Sequence, residues 1–185
     1  MRVVAIIIMI VFSLAGFGQQ EINYNHKKIN KFITKTYKLD NFTMKEVFSE
    51  SANQLNGKFF TIESDASNSE LIYIGRVKSC RSGGCSIDRN SKDSNYEYFD
   101  YIIAFDANNK IKKIKIYSYQ ATHGQEVTAK WWLKQFYNNN SNKAFEVNKD
   151  IDAISGATIS VYAMVDDVNY VNQELIKLLK SNNIL

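Results

Sequence analysis

The sequence DAISGATIS, at residues 152–160, places small residues between an acid and a threonine, directly before a long apolar-periodic segment. From residue 159 to 179 the apolar residues fall on one helical face, which predicts a C-terminal helix that begins at this stretch. Free N–H groups at a helix start, with the positive end of the helix dipole, form a phosphate site. Gly156 and Ala157 would leave room for such a group, and Thr158 would place a hydroxyl beside it. The alternative is an ordinary helix start with Ser155 or Thr158 as the N-cap.

Upstream of this stretch, the chain predicts a sheet. Segments rich in β-forming residues, bounded by polar turns, predict strong strands over residues 71–77, 96–106 and 111–120. A short turn joins the last two, which favours antiparallel pairing. In the third, isoleucines alternate with lysines, as in a sheet covered on one face only. The weaker predictions are helices over residues 22–37 and 127–137, a strand over 58–62, a short strand over 144–147, and either a strand at 42–44 or a helix over 46–55.

The N-terminus predicts export. Arg2 precedes an apolar run from Val3 to Phe17, and Gly16 and Gly18 are the small residues that a signal peptidase reads. Residues 1–18 are therefore predicted to be a signal peptide that directs the chain to the periplasm or cell envelope. An uncleaved N-terminal membrane anchor is the alternative, although the run is short for a full span of about 20 apolar residues.

Composition limits the remaining function classes. The chain has 185 residues, 45% of them hydrophobic, which suits one domain with a core. The formal charge is +4, but the lysines are scattered along the sequence among acids, so no nucleic-acid stripe is predicted. With His26 and His123 as the only histidines, no metal site is predicted. The sequence contains no recognisable hydrolase motif, so no catalytic residues are predicted.

The two cysteines, Cys80 and Cys85, are separated by four residues. In an exported chain such a pair most often forms one disulfide. Closing so small a loop would stabilise the fold by about 2 kcal/mol in the chain-entropy model. The alternative is a redox pair that exchanges electrons, because a glycine-rich loop beside Arg81 favours a labile bridge.

Asp152, Ser155, Gly156, Ala157 and Thr158 match the pattern D-x-x-[ST]-G-A-T. In this the chain resembles the FMN-binding domain family, which includes the flavin-carrying subunits of the sodium-pumping NADH:quinone reductase and of the Rnf electron-transfer complex. The resemblance implies an α+β fold, with an antiparallel or half-barrel sheet packed with helices and a long C-terminal helix after the motif. It also implies that FMN is esterified through its phosphate to Thr158 by a dedicated flavin transferase.

The resemblance extends to a second loop. Family members carry a glycine-containing loop between the last strand and an aromatic-bearing helix, and here Gly124-x-Glu126 matches it, followed by Trp131. This implies that Gly124 and Glu126, with the neighbouring His123, lie against the flavin and that an aromatic such as Trp131 stacks on it. The family's proline is missing from this loop.

The predicted organisation is a signal peptide at 1–18, an N-terminal part at 19–96 that includes the cysteine loop, and an FMN-binding core at 97–185. The predicted function is an exported electron-transfer flavoprotein, more an electron carrier than a stand-alone enzyme. Its partners would be a flavin transferase and an unidentified redox donor and acceptor, for which membrane-bound proteins are one option. The alternatives are a module that binds FMN non-covalently or has lost it, and a thiol-disulfide protein that uses Cys80 and Cys85.

Overall fold

A computed structural model describes residues 21–48, 55–64, 67–81, 96–137 and 143–181. The predicted signal peptide and Cys85 lie outside the described residues, so the export and disulfide predictions stay predictions. Within the described ranges, no helix combines the length and the apolar character needed to cross a membrane. The helices and strands are, in chain order, α1 (Lys27–Tyr37), β1 (Thr43–Val47), β2 (Gly57–Ser64), β3 (Ser67–Arg81), β4 (Tyr96–Phe105), β5 (Ile111–Tyr119), a 3₁₀ turn (Gln125–Thr128), α2 (Lys130–Leu133), a second 3₁₀ turn (Lys134–Phe136) and α3 (Thr158–Ser181).

The five strands form one open antiparallel sheet in the order β1-β2-β3-β4-β5. Each strand pairs with the next one along the chain, which is the usual arrangement for consecutive strands. The turn between β4 and β5 is held by Asp106, whose carboxylate accepts from the backbone N–H groups of Asn108 and Lys110 at 2.8 and 2.9 Å. The predicted α+β class, with an antiparallel sheet and a long C-terminal helix, is confirmed.

The sheet is covered on both faces, so the prediction of a single covered face was wrong. On one face α3 packs against β3, β4 and β5 together with Trp132 and Phe136. On the other face α1 buries Ile29, Phe32 and Ile33. The lysines of β5 suggested a solvent face, but α1 packs on that face, and Tyr117 of β5 is only 2% exposed.

Three predicted elements differ from the structure. The first helix begins at Lys27 instead of residue 22, because His26 is extended and its Nδ1 accepts the Lys28 N–H at 3.1 Å as an N-cap. The helix predicted over residues 127–137 is broken at Ala129, which has an extended conformation. The strand predicted over 144–147 is reduced to one isolated bridge between Val147 and Ile151.

An ion pair is buried inside the sheet. The Arg76 guanidinium donates to both carboxylate oxygens of Asp100, at 2.7 and 3.0 Å, and stacks 3.6 Å from the ring centre of Tyr98. Arg76 and Asp100 are directly opposite each other on β3 and β4. Because a buried charge is tolerated only with a partner, this pair fixes the register of β3 relative to β4.

Candidate functional site

Helix α3 begins at Thr158 without a side-chain cap. The preceding residue, Ala157, accepts the Val161 N–H through its carbonyl at 2.9 Å but has no side-chain acceptor to offer. Within the described part of the chain, the N–H groups of Thr158, Ile159 and Ser160 have no acceptor. The first turn also contains no acidic residue. The positive end of a 24-residue helix is therefore open to an anion.

The small residues of the motif have two roles: Ala157 anchors the backbone in the core, and Gly156 leaves the helix start accessible. Ala157 is 2% exposed and packs into the core under α3. Gly156 has φ +79°, and a Cβ built on it would meet nothing within 4 Å. Ser155 and Thr158 are exposed, so both hydroxyls lie on the open side. The motif thus presents a free surface at the helix start while its buried alanine holds the backbone in place.

The loop before the helix is held through its backbone by α2 and by the 3₁₀ turn that follows α2. The indole N–H of Trp132 donates to the Asp152 carbonyl at 2.8 Å, and the Asp152 N–H donates to Oε1 of Gln135 at 2.7 Å. The Asp152 carboxylate is exposed and has no hydrogen bond among the described residues. Trp132 and Gln135 therefore hold this loop through the backbone of Asp152 and not through its side chain.

The loop at Gly124 packs directly on the first turn of α3. Gly124 has φ +80°, and a Cβ at this position would overlap Oγ of Ser160. Only glycine accommodates both the left-handed backbone and this close approach. The contact joins the two loops that the sequence singled out, which are about thirty residues apart in the chain.

Ser160 and Tyr119, which the sequence analysis did not identify, connect these loops to the sheet. Ser160 Oγ lies 3.0 Å from Oγ of Ser79 on β3 and 3.5 Å from the Tyr119 hydroxyl at the end of β5. The Tyr119 hydroxyl donates to the His123 carbonyl at 2.6 Å. Burial is the main cause that raises the pKa of Tyr119, so it stays a neutral donor. One sequence signal could have indicated Tyr119, namely its position at the end of a strand, just before the Gly124 loop.

Residues 98–173 match the FMN-binding domain. The match supports an FMN-binding domain in this part of the chain. The matched region runs from β4 into α3 and contains both the Gly124 loop and the DAISGATIS motif. The cofactor of the domain is FMN. No curated protein matches the chain.

The residues at the start of α3 suit the phosphate of FMN. The helix start offers three backbone N–H donors without acceptors, a glycine with open space above it and two exposed hydroxyl-bearing residues. These are the features of an oxyanion site at a helix N-terminus. The carboxylate of Asp152, in the same motif, would repel a phosphate, and its exposure to solvent weakens that repulsion.

The other predicted flavin residues lie around the Gly124 loop of the FMN-binding domain. His123 is exposed, and its Nδ1 lies 2.9 Å from the Thr122 hydroxyl, which in turn donates to Glu97 at 2.6 Å. Glu126 lies in the first 3₁₀ turn and is exposed. Trp131 is 59% exposed, whereas Trp132 is fully buried. Among the described residues, the side chains of His123, Glu126 and Trp131 make no hydrogen bond to the motif, and their roles toward FMN stay predictions.

Proposed function

We propose that this chain is an exported electron carrier whose FMN is attached through its phosphate to Thr158. The observation that carries the proposal is the exposed Thr158 hydroxyl at the first position of an uncapped helix, inside a domain whose cofactor is FMN. Because Thr158 does not cap its own helix, its hydroxyl has no competing structural role among the described residues.

Several groups of the site would together bind the phosphate. The N–H groups of Thr158, Ile159 and Ser160 would donate to its oxygens, and the helix dipole would offset its charge. Gly156 would leave space for it. Trp132 and Gln135 would keep the loop from moving. The flavin, when bound, supplies the redox chemistry, and the protein sets its position and its access to solvent.

A carrier is favoured over a stand-alone enzyme by the openness of the site. Asp152, Ser155, Gly156 and Thr158 are all exposed, so the bound group would be accessible to a second protein. Electron transfer needs only close approach, whereas turnover of a small substrate usually needs a concave pocket that encloses it.

Export and partners rest on the sequence. The apolar run after Arg2 supports a signal peptide at residues 1–18, with an uncleaved anchor as the alternative. Maturation would need a flavin transferase in the same compartment. The redox donor and acceptor are proposed to be membrane-bound components of the cell envelope.

Intact mass after co-expression with a competent flavin transferase tests the attachment and the cleavage together. The expected mass is that of the chain without residues 1–18, increased by one FMN less one water. The increase should disappear in Thr158→Ala and persist in Ser155→Ala, which removes the neighbouring exposed hydroxyl. An increase that survives in Thr158→Ala, or an unmodified wild-type chain, would contradict the ester.

Non-covalent binding of FMN is the second candidate, because the free N–H groups of α3 suit a phosphate with or without an ester bond. Denaturation separates the two forms. Release of free, fluorescent FMN from the wild-type protein would indicate non-covalent binding, and retention of the flavin on the chain would indicate the ester.

A further inference from the structure

Five lysines that are scattered in the sequence come together in the structure beside the edge strand β5. Helix α1 lies across this strand: the Lys28 ammonium donates to the Tyr117 carbonyl at 2.8 Å, and the Lys113 ammonium lies 5.6 Å from the ring centre of Phe32. We call this group the basic surface, and its members are Lys28, Lys31, Lys113, Lys115 and Lys130.

The basic surface lacks acidic partners. Among the described residues, every ion pair involves other cations, and none of these five lysines contacts a carboxylate. Burial lowers the pKa of Lys115, and the nearby charges of Lys28, Lys31, Lys113 and Lys130 lower it further. Such repulsion destabilises the folded chain and at the same time produces a local positive potential that extends into solvent.

The basic surface is connected to the candidate FMN site through Lys130 and α2. Lys130 is the first residue of α2, which contacts β5 and follows the Gly124 loop. Two residues later, Trp132 holds the Asp152 carbonyl of the motif loop. A partner bound to the lysines would therefore lie at the β5 edge of the sheet, which α2 also contacts.

The chemistry of the surface favours an acidic protein over a membrane. The apolar residues of α1 (Ile29, Phe32 and Ile33) are buried against the sheet, so this helix has no apolar face to insert between lipids. Charge attraction without a large apolar patch is typical of transient electron-transfer complexes, in which it accelerates the encounter.

We propose that the basic surface docks an acidic redox protein and brings it to the edge of the FMN site. The proposal rests on the proposed electron-carrier function for the redox character of the partner. Docking itself depends only on the five lysines, so binding can be measured whether or not the chain carries flavin.

An acidic plant-type ferredoxin serves as the probe. Its binding to the full chain, measured by fluorescence anisotropy at low salt, should weaken about tenfold or more in Lys113→Glu/Lys115→Glu and should also weaken in salt. The control is Lys45→Glu/Lys58→Glu at the opposite edge of the sheet, which makes the same change in net charge and breaks two exposed ion pairs. The control should bind within about twofold of wild type.

Equal loss in the control would mean that overall charge, and not this surface, attracts the probe. Unchanged ferredoxin binding in the β5 variant would also overturn the proposal. So would a β5 variant that still binds ferredoxin but no longer binds vesicles of phosphatidylcholine and phosphatidylglycerol, because that result would indicate a membrane surface. If the β5 variant fails to fold by circular dichroism, Lys31→Glu/Lys130→Glu tests the same surface at two exposed positions. Normal ferredoxin binding with no flavin on the chain would refute the carrier function and leave the docking surface intact.

Discussion

The indole N–H of Trp132 donates a 2.8 Å hydrogen bond to the backbone carbonyl of Asp152. Trp132 is fully buried, and its ring packs edge-on against Phe136 at 5.3 Å between centroids. The bond therefore connects the hydrophobic core to the first residue of the flavin motif. The position of the motif loop depends on a core residue that does not itself reach the exposed side of the site.

Trp132→Phe should destabilise the fold and loosen the motif loop. The substitution removes the hydrogen bond and part of a fully buried ring, so the free energy of unfolding should fall by about 1–3 kcal/mol. Urea denaturation measures this loss. The yield of FMN-modified protein should fall as well, because the loop that presents Thr158 loses one of its two backbone supports.

The neighbouring tryptophan provides the matched control. Trp131 is 59% exposed, and Trp131→Phe should change the free energy of unfolding by less than about 0.5 kcal/mol. Similar losses in the two variants would show that burial and the bond to Asp152 do not distinguish these residues.

Gly124 and Gly156 should respond differently to alanine. Both have positive φ, which costs about 1 kcal/mol or slightly more for a residue with a Cβ. At Gly124 the new methyl would also overlap Ser160 Oγ, so Gly124→Ala should cost roughly 1–3 kcal/mol more. At Gly156 the space is open, and Gly156→Ala should reduce FMN attachment more than stability.

Thermal denaturation and intact mass, measured on both glycine variants, test this difference. Gly124→Ala/Ser160→Ala should recover part of the stability, because the overlapping hydroxyl is gone. An equal loss of stability at the two glycines, with no recovery in the double variant, would argue against the packing of the Gly124 loop on α3.

Asp167 should make stability depend on pH in an unusual direction. Its carboxylate accepts the Tyr101 hydroxyl at 2.5 Å between the sheet and α3. Burial raises the pKa of Asp167 from 3.8 to about 6, and the hydrogen bond from Tyr101 opposes the rise. Because the folded chain holds this proton more tightly than the unfolded chain, this group's contribution to stability is present below about pH 4 and is lost as the pH rises through about 6. The loss is at most about 3 kcal/mol.

The difference between wild type and Asp167→Asn isolates this contribution from that of other carboxylates. Unfolding by urea at several pH values should show wild type losing stability relative to Asp167→Asn between about pH 4 and 6. Tyr101→Phe removes the bond that restrains the pKa, so the window should move to higher pH. A constant difference across this range would mean that Asp167 does not titrate as its surroundings suggest.

Local patterns in the sequence were sufficient for the elements that depend on their own residues. The isoleucine and lysine alternation of β5, the turn at Asp106 and the apolar face of α3 are each specified within a few residues, and each formed where predicted. The motif at residues 152–158 is equally local, and it led to the FMN-binding domain that the family match supports.

The tertiary structure decided what depends on distant residues. The contact of Gly124 with Ser160, the bond from Trp132 to Asp152 and the packing of α1 on the second sheet face join segments far apart in the chain. The lysines of the basic surface also come from distant segments, so the sequence did not show that they lie together. Sequence periodicity reports which side of an element is apolar, but not which other element covers it, because that is settled only when the segments pack together.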